Sequence, residues 1–280
     1  MNIVNAITQA TQELAKKNIK SPKLDSEILM SEVLKKDRKF IILNPKICLK
    51  KNSINHFDDL IKQRSTGKPI AYLVGWKDFW NNKFKINENV LIPRPDTEIV
   101  IEEVLKFSQH KNRLKILDIG VGSGCILLSI LNEKKNFYGV GIDKSSQCIE
   151  LSKANAHKIG LKNRLKFFKT DVDNFNYDKY DLIISNPPYI SHFDLKNLDK
   201  EVLNFEPKLA LDGGLDGLSE IKKVVMRSSE LLKKNGKLFL EIGFNQKDKV
   251  KKILNNKGFY INKILKDYAY NYRCIVSTKQ

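Results

Sequence analysis

Apolar residues in the segment 1–65 recur at helical spacing. One face carries Ile3, Ala6, Ile7, Ala10 and Leu14. Two further stripes consist of Leu24, Ile28, Leu29 and Val33, and of Ile54, Phe57, Leu60 and Ile61. Residues three and four apart share one face of a helix. The pattern therefore predicts short amphipathic helices that cover one another as a small bundle.

The segment 70–92 has a different character, with aromatic and β-branched residues around an Asn81-Asn82 turn signal. This pattern favours a hairpin or an extended connector. The next residues are Pro93-Arg94-Pro95-Asp96-Thr97-Glu98. Proline disfavours helix for the residue before it, and Asp96 or Thr97 can cap the helix that follows.

From Leu114 onward, short apolar strands alternate with helical segments. The predicted strands are 114–119, 137–142, 165–170, 180–185, 237–242, 260–265 and 274–277. Repeated strand–helix units predict a parallel sheet with both faces covered. The last two strands are too close in sequence for a parallel crossover, so they should form an antiparallel hairpin. We expect an α/β fold with a helical bundle at 1–68, a connector at 69–92 and a sheet domain at 93–280.

A glycine-rich turn, Gly120-Val121-Gly122-Ser123-Gly124, follows the first of these strands. Glycines allow a sharp turn and close approach of a ligand, and N–H groups at a helix start suit an anion. Asp143 ends the second strand, where an acid can bind ribose hydroxyls. A tight turn without ligand and a helix cap at Asp143 are the structural alternatives. The GxGxG spacing differs from the GxGxxG of dinucleotide sites; with Asp118 it resembles motif I of class I methyltransferases, which implies S-adenosylmethionine as cofactor.

The tetrapeptide Asn186-Pro187-Pro188-Tyr189 follows the fourth strand of this region. Ligands in open α/β sheets bind beyond the carboxyl ends of the strands. The Asn186 side-chain oxygen and the Pro187 carbonyl can each accept one N–H of a planar NH₂ group. Two such acceptors orient the nitrogen and stabilise positive charge that develops on it. Tyr189 can pack against the planar group. A rigid turn that closes the strand is the structural alternative.

Composition indicates a globular protein with a sizeable core, since 41% of its residues are hydrophobic and 29% charged. No apolar run approaches a membrane span and no signal peptide is evident, so we expect a cytoplasmic protein. The four cysteines and four histidines have no metal-ligand spacing, and we expect no metal. The net charge of +18 suits a polyanionic partner, but only seven of fifty basic residues are Arg, which equally indicates genome bias.

With both motifs, the chain resembles the PrmC/HemK family, the release factor glutamine N5-methyltransferases. The resemblance rests on 91–98, 116–124, 186–190 and 205–207, and on Arg64, Gly67, Pro69, Tyr72 and Gly75. It implies methylation of the glutamine in the Gly-Gly-Gln motif of class 1 peptide chain release factors, which the helical domain would grip. It also implies that Asp171 and Val172 lie at the adenine and that Arg94 and Glu98 line the substrate site. For Arg94 and Glu98, fixing the connector is an equal alternative.

Two other functions fit parts of the sequence. An adenine-N6 methyltransferase acting on DNA or RNA would share the fold, the cofactor and Asn-Pro-Pro-Tyr, but such an enzyme usually carries a larger target-recognition region. A basic binding module on a degenerate cofactor fold would not need intact glycines, Asp143 and Asn186. Direct nucleic-acid binding and membrane contact are not required by the favoured interpretation.

Overall fold

A computed structural model describes all residues, 1–280, and divides into two compact units. The first unit comprises 1–76 and 199–205, and the second comprises 77–198 and 206–280. The second segment of the first unit lies within the sequence span of the second unit, so neither unit is continuous in sequence.

The first unit is helical, as its apolar spacing predicts. The helices of its segment 1–76 are α1 (Ile3–Lys16), α2 (Pro22–Leu34), α3 (Arg38–Leu43), α4 (Lys51–Ser65) and α5 (Ile70–Val74), and its segment 199–205 adds one later helix, Lys200–Phe205. Asn2 caps α1 by accepting the Asn5 amide. The predicted stripe on α2 differs from the observed one, because Leu24 is exposed and Asp25 is buried. The Asp25 carboxylate meets buried Arg64 of α4, with Oδ2 2.7 Å from Nε, and this ion pair turns a polar position inward.

A hairpin of β1 (Trp76–Phe79) and β2 (Asn82–Lys85) follows, and the second unit begins at Lys77 within β1. A 3₁₀ turn (Pro95–Thr97) then leads into α6 (Glu98–Phe107). Of the two residues predicted to cap this helix, Asp96 and Thr97, it is Thr97 that occupies the cap position. Its side chain makes no capping hydrogen bond, so the predicted capping by the Thr97 side chain is wrong.

The main sheet follows, with helices between its strands. Its first elements along the chain are β3 (Lys115–Ile119), α7 (Cys125–Glu133), β4 (Tyr138–Asp143), α8 (Ser146–Ile159), β5 (Leu165–Lys169) and β6 (Tyr180–Ser185). The chain continues through α9 (His192–Leu195), α10 (Lys200–Phe205), α11 (Ser219–Leu231), β7 (Leu232–Glu241), α12 (Lys247–Asn256), β8 (Phe259–Lys266) and β9 (Tyr272–Lys279). Short 3₁₀ turns lie at Lys162–Arg164, Val172–Asn174 and Lys208–Ala210.

The strand order is β5-β4-β3-β6-β7-β9-β8. The first five strands in this order are parallel, and β9 is antiparallel to both β7 and β8. This confirms the Rossmann-like sheet with a C-terminal antiparallel hairpin. Alternate residues of β3 serve the two faces: Ile116 packs into the core under α7, and Leu117 into the core under α11. The order reverses between β3 and β6, which brings their carboxyl ends side by side.

Candidate active site

The glycine turn after β3 has a backbone that side chains rarely adopt. Gly120, Gly122 and Gly124 have φ of 78°, 55° and 83°. A Cβ placed on Gly120 would meet no atom within 4 Å, so open space lies beside it. A Cβ on Gly124 would instead lie 2.8 Å from Leu128 Cδ1. Gly120 therefore borders space that a ligand can fill, whereas Gly124 allows α7 to pack closely.

Most amides of this turn are already used inside the protein, so the N–H groups predicted to face an anion are those at the start of α7 rather than those of the turn. Those of Gly120 and Val121 donate to the Ile142 carbonyl, each at 2.9 Å, and that of Gly124 to Val121 at 2.8 Å. Gly122 donates to the Asp143 carboxylate at 3.0 Å. Ser123 is the one residue of the turn whose amide finds no protein acceptor. Few amides of the turn itself are therefore left for an anion.

Asp143 ends β4 and lies 3.0 Å from the glycine turn, through Oδ2. Its Oδ1 accepts the Ser145 amide at 2.9 Å, while Ser145 caps α8 through the Cys148 amide. Asp143 is therefore not the cap of that helix. Burial raises the pKa of Asp143, and the Ser145 and Gly122 amides oppose the rise. The side chain keeps acceptor capacity, because each carboxylate oxygen can take more than one hydrogen bond.

Asn186 stands at the end of β6, beside the end of β3. The neighbouring Ser185 hydroxyl donates to the Ile119 carbonyl at 2.8 Å, which joins the two strand ends. The Nδ2 atom of Asn186 lies 3.4 Å from the Thr97 hydroxyl oxygen. With its nitrogen held there, the Asn186 oxygen is left as the acceptor that the side chain offers elsewhere.

Tyr189 follows the two prolines and is held at both ends. Its carbonyl accepts the Gln246 side-chain amide at 2.9 Å. Its hydroxyl lies 3.4 Å from Glu241 Oε1 and 3.4 Å from Arg273 Nη1. Burial, and then the Glu241 charge, raise the pKa of Tyr189. The phenol is therefore neutral over the physiological range and acts as a fixed polar anchor for its ring.

Arg94 and Glu98 have partners within the second unit. Arg94 pairs with the carboxylate of Glu206, which also accepts the Ile92 amide at 3.3 Å. Glu98 accepts the Trp80 amide of the hairpin at 2.7 Å. These contacts give both residues a role in fixing the connector. Arg94 also borders the cavity described next, so a role there is compatible with its ion pair.

A cavity of about 360 Å³ lies at the carboxyl ends of β3, β4 and β6, a volume within the range of small-molecule sites. The predicted residues on its wall are Gly120, Val121, Gly122, Ser123, Asp143, Val172, Asn186, Pro187, Pro188 and Arg94. Four predicted residues are not on the wall: Gly124, Asp171, Tyr189 and Glu98. Both motifs, distant in sequence, thus meet at one cavity.

Asp171, which is not on the cavity wall, forms an ion pair with a lysine. Its Oδ2 lies 3.2 Å from Lys144 Nζ, and Lys144 also contacts Glu220 at 2.9 Å. Burial would raise the pKa of Asp171, but the Asp173 amide and Lys144 outweigh it, so the pKa is lowered. Sequence reasoning missed Lys144, which is on the cavity wall. Its position directly after Asp143 was the available signal.

Thr97 and Glu241 were also missed as polar groups behind the site. Both are buried, with exposures of 3% and 2%. Thr97 is on the cavity wall, and Glu241 is the last residue of β7. Burial raises the pKa of Glu241 to about 7, opposed by the Thr97 hydroxyl and Arg273.

No cluster of three or more His, Cys, Asp or Glu side chains is arranged to hold a metal. No helix combines the length and apolar character needed to cross a bilayer.

Two protein families match segments of the chain. The family described as the PrmC N-terminal domain matches residues 5–75. The family described as the methyltransferase small domain matches residues 97–208. The two matches fall on the helical segment and on the segment that holds both sequence motifs.

Several relatives match along the whole chain, among them two from Buchnera aphidicola. The "Release factor glutamine methyltransferase" of Buchnera aphidicola subsp. Baizongia pistaciae (strain Bp) is 38% identical over 284 residues, covering 100% of both chains. The protein of the same name from Buchnera aphidicola subsp. Schizaphis graminum (strain Sg) is 36% identical over 280 residues, again covering 100% of both. Among solved structures, the ribosomal protein L11 methylase of Lactobacillus delbrueckii subsp. bulgaricus superposes with a TM-score of 0.51 at 15% identity. It covers 68% of this chain and 82% of its own, a likeness of fold.

Proposed function

Because the chain belongs to the release factor glutamine methyltransferase family, we propose that it methylates the side-chain amide nitrogen (N5) of a glutamine. The acceptor is the glutamine of the Gly-Gly-Gln motif in class 1 peptide chain release factors, and the methyl donor is S-adenosylmethionine. The reaction belongs to translation termination, and we assign it to the cytoplasm.

The cavity has features that fit the cofactor. The open space beside Gly120 is one that any Cβ would enter, and Asp143 offers carboxylate oxygens at the end of β4, where ribose hydroxyls are bound in related folds. Val172 supplies an apolar wall suited to the adenine base of the cofactor. When bound, S-adenosylmethionine supplies an activated methyl group on a positively charged sulfur.

Asn186 and Pro187 then have the task of holding the acceptor. A glutamine amide nitrogen is a poor nucleophile because its lone pair is delocalised into the carbonyl. The Asn186 oxygen accepts one N–H of the amide and the Pro187 carbonyl accepts the other. Holding both hydrogens fixes the direction of the nitrogen, and such alignment can supply several kcal/mol of the barrier, roughly 7 or more in ideal cases. The same oxygens stabilise positive charge that develops on nitrogen.

Tyr189 has a supporting part in this proposal. Its hydroxyl is anchored between Glu241 and Arg273, which fixes the ring next to the two prolines. No residue is needed as general base, because the methylated nitrogen can lose its proton to water after transfer.

One observation carries the proposal: Asn186 and Pro187, at the end of β6, share a cavity with Gly120 and Gly122, at the end of β3. A residue pair suited to bind NH₂ thereby borders the same space as the glycine turn. A basic scaffold without catalysis would have no need for this convergence.

The test is methyl transfer from radiolabelled S-adenosylmethionine to a purified class 1 release factor. Two controls accompany it: the same factor with the motif glutamine replaced by alanine, and nucleic acid of mixed sequence. We expect label on the unaltered factor alone. Label on the alanine-substituted factor would contradict glutamine as the acceptor, and label on nucleic acid would favour adenine methylation instead.

A further inference from the structure

The proposed binding of the acceptor requires one particular orientation of the Asn186 carboxamide. Its oxygen and nitrogen have nearly the same size, so the surrounding hydrogen bonds decide which of them faces the substrate. If the carboxamide turned over, it would present N–H to a substrate that itself offers N–H. Something in the protein must therefore hold the nitrogen away from the substrate.

Thr97 is the group that meets this nitrogen. Its hydroxyl oxygen lies 3.4 Å from Asn186 Nδ2, a long contact that can tighten when the site is filled. Thr97 occupies the cap position of α6 but makes no capping hydrogen bond, so its hydroxyl is available for another partner. The hydroxyl of this helix-cap residue therefore contacts Asn186 instead of a backbone amide of the helix.

A hydroxyl accepts well from Asn186 only if its own hydrogen points elsewhere. The buried carboxylate of Glu241 is the candidate for that second partner, because the Thr97 hydroxyl, as a hydrogen-bond donor, is the group that most strongly opposes the rise in the pKa of Glu241. Glu241 Oε1 lies 3.4 Å from the Tyr189 hydroxyl, and Oε2 has no partner in strict hydrogen-bond geometry. The carboxylate therefore has spare acceptor capacity at Oε2.

We infer that Thr97 and Glu241 are positioning residues for methyl transfer: the Glu241 carboxylate orients the Thr97 hydroxyl, which holds the Asn186 carboxamide with its oxygen toward the acceptor NH₂. The inference rests on the proposed function. Neither residue touches the reacting atoms, and each acts through Asn186. Glu241 also orients Tyr189 through its hydroxyl, so a single buried carboxylate fixes two residues of the Asn-Pro-Pro-Tyr motif.

Several groups face Glu241 from the elements packed against it. Those that affect it or are affected by its charge are Asp96 and Thr97 before α6, Cys125 on α7, Tyr189 after β6, and Arg273 and Cys274 on β9. Arg273 is the only cation among them, and it is shared with Asp267, 2.9 Å from its Nη2. The carboxylate is thus compensated by one shared arginine and by hydroxyl groups.

The first test compares Thr97→Val, which keeps the shape and removes the hydroxyl, with Thr97→Ser, which restores it. We expect kcat to fall about tenfold or more in the valine variant, the factor that corresponds to one orienting hydrogen bond. The serine variant should stay within about threefold of the wild type. Cofactor affinity by calorimetry should change less than about twofold in both. Equal kcat in the valine and wild-type proteins would overturn the inference.

The second test does not depend on Thr97 substitutions folding well. In Glu241→Gln the charge is lost at every pH, whereas the wild-type carboxyl changes its protonation near pH 7. We expect the kcat of the wild type to fall as pH is lowered through this range, and the profile of the variant to be flatter. Superimposable profiles would overturn the role of Glu241. Wild-type enzyme that fails to label the release factor would instead remove the proposed function itself, so the two failures are distinguishable.

Discussion

The Oδ2 atom of Asp143 accepts the backbone N–H of Gly122 at 3.0 Å. This bond joins the end of β4 to the turn that follows β3, and the other oxygen of Asp143 is fixed by the Ser145 amide. Asp143 therefore shapes the glycine turn and also presents its carboxylate to the cavity. One carboxylate serves both roles, so a substitution at Asp143 affects the turn and the cavity together.

Replacing Asp143 by Asn should weaken cofactor binding by about tenfold or more, since the new NH₂ group must face either an amide donor or the ligand. Isothermal calorimetry with S-adenosylmethionine measures the change. Asp173→Asn, at a 3₁₀ turn away from the cavity wall, is the matched control and should bind as the wild type does. An unchanged affinity in the Asp143 variant would exclude it as a cofactor ligand.

Gly120 and Gly160 form a matched pair for the next prediction. Both have positive φ, 78° and 80°, and a Cβ on either meets nothing within 4 Å. Alanine at each should therefore cost about 1–2 kcal/mol in backbone strain. Only Gly120 borders the cavity, so only Gly120→Ala should also weaken cofactor binding. Denaturant titration and calorimetry check both parts; equal binding by the two variants would contradict a ligand beside Gly120.

Asn186→Ala should abolish measurable turnover and leave cofactor affinity within about tenfold of the wild type, because the side chain is proposed to hold the acceptor. Single-turnover labelling and calorimetry give the two numbers. Parallel loss of turnover and cofactor affinity would mean that Asn186 maintains the architecture of the strand end.

The Asp25–Arg64 pair should be important for the stability of the helical unit. Both side chains are 6% exposed, and Asp25→Ala leaves the buried guanidinium with the partly exposed Glu201 as its remaining carboxylate, 3.1 Å from Nη2. Breaking such a pair costs about 3–5 kcal/mol. Lys20→Ala breaks the exposed pair with Asp199 in the same unit and should change nothing measurable. Urea unfolding followed by circular dichroism tests both; a small effect of Asp25→Ala would show that Glu201 alone compensates the charge of Arg64.

The stability of the folded protein should depend on pH through Asp118, and the shift in the pKa of Asp118 sets the direction of that dependence. Burial raises its pKa from 3.8 to about 7, opposed by the Leu127 amide, and neither carboxylate oxygen has a partner in strict geometry. The folded protein thus holds a proton that the unfolded chain releases between these values. The stabilising contribution is complete below pH 3.8 and is lost as pH rises through about 7.

It follows that Asp118→Asn, which is neutral at every pH, should raise the melting temperature at pH 8, by on the order of 5 °C. The advantage over the wild type should shrink as the pH is lowered toward 5. Differential scanning calorimetry at both pH values is the measurement. A variant that is less stable than the wild type at pH 8 would indicate an ionised Asp118 with a partner.

The sheet could be predicted closely because its strands are short, apolar and separated by helices. The strand 180–185 coincides with β6, whereas the strand order that reverses beside it comes from the structure. The predicted start of β7 at Lys237 is five residues late, because Lys233–Gly236 is polar although Leu232 pairs with Tyr180 across a register shift. Hydrophobic pattern does not detect a strand whose side chains face solvent.

The polar groups behind the site could not be predicted, for a different physical reason. Glu241 ends an apolar strand, where a carboxylate is ordinarily solvated, and only tertiary packing buries it. Thr97 had a sufficient local explanation as a helix cap, so nothing in the sequence directed it toward Asn186. Asp25 likewise occupies a helix position that periodicity leaves outside. In each case a distant partner decides the environment.

The position of β9 affects the order in which the protein can be assembled. It follows all other strands in the chain, yet it lies between β7 and β8 and carries Arg273. During synthesis on the ribosome, β8 emerges before the strand that must separate it from β7. The sheet therefore cannot close progressively from one end, and the guanidinium that holds the Tyr189 hydroxyl arrives only when the final hairpin docks.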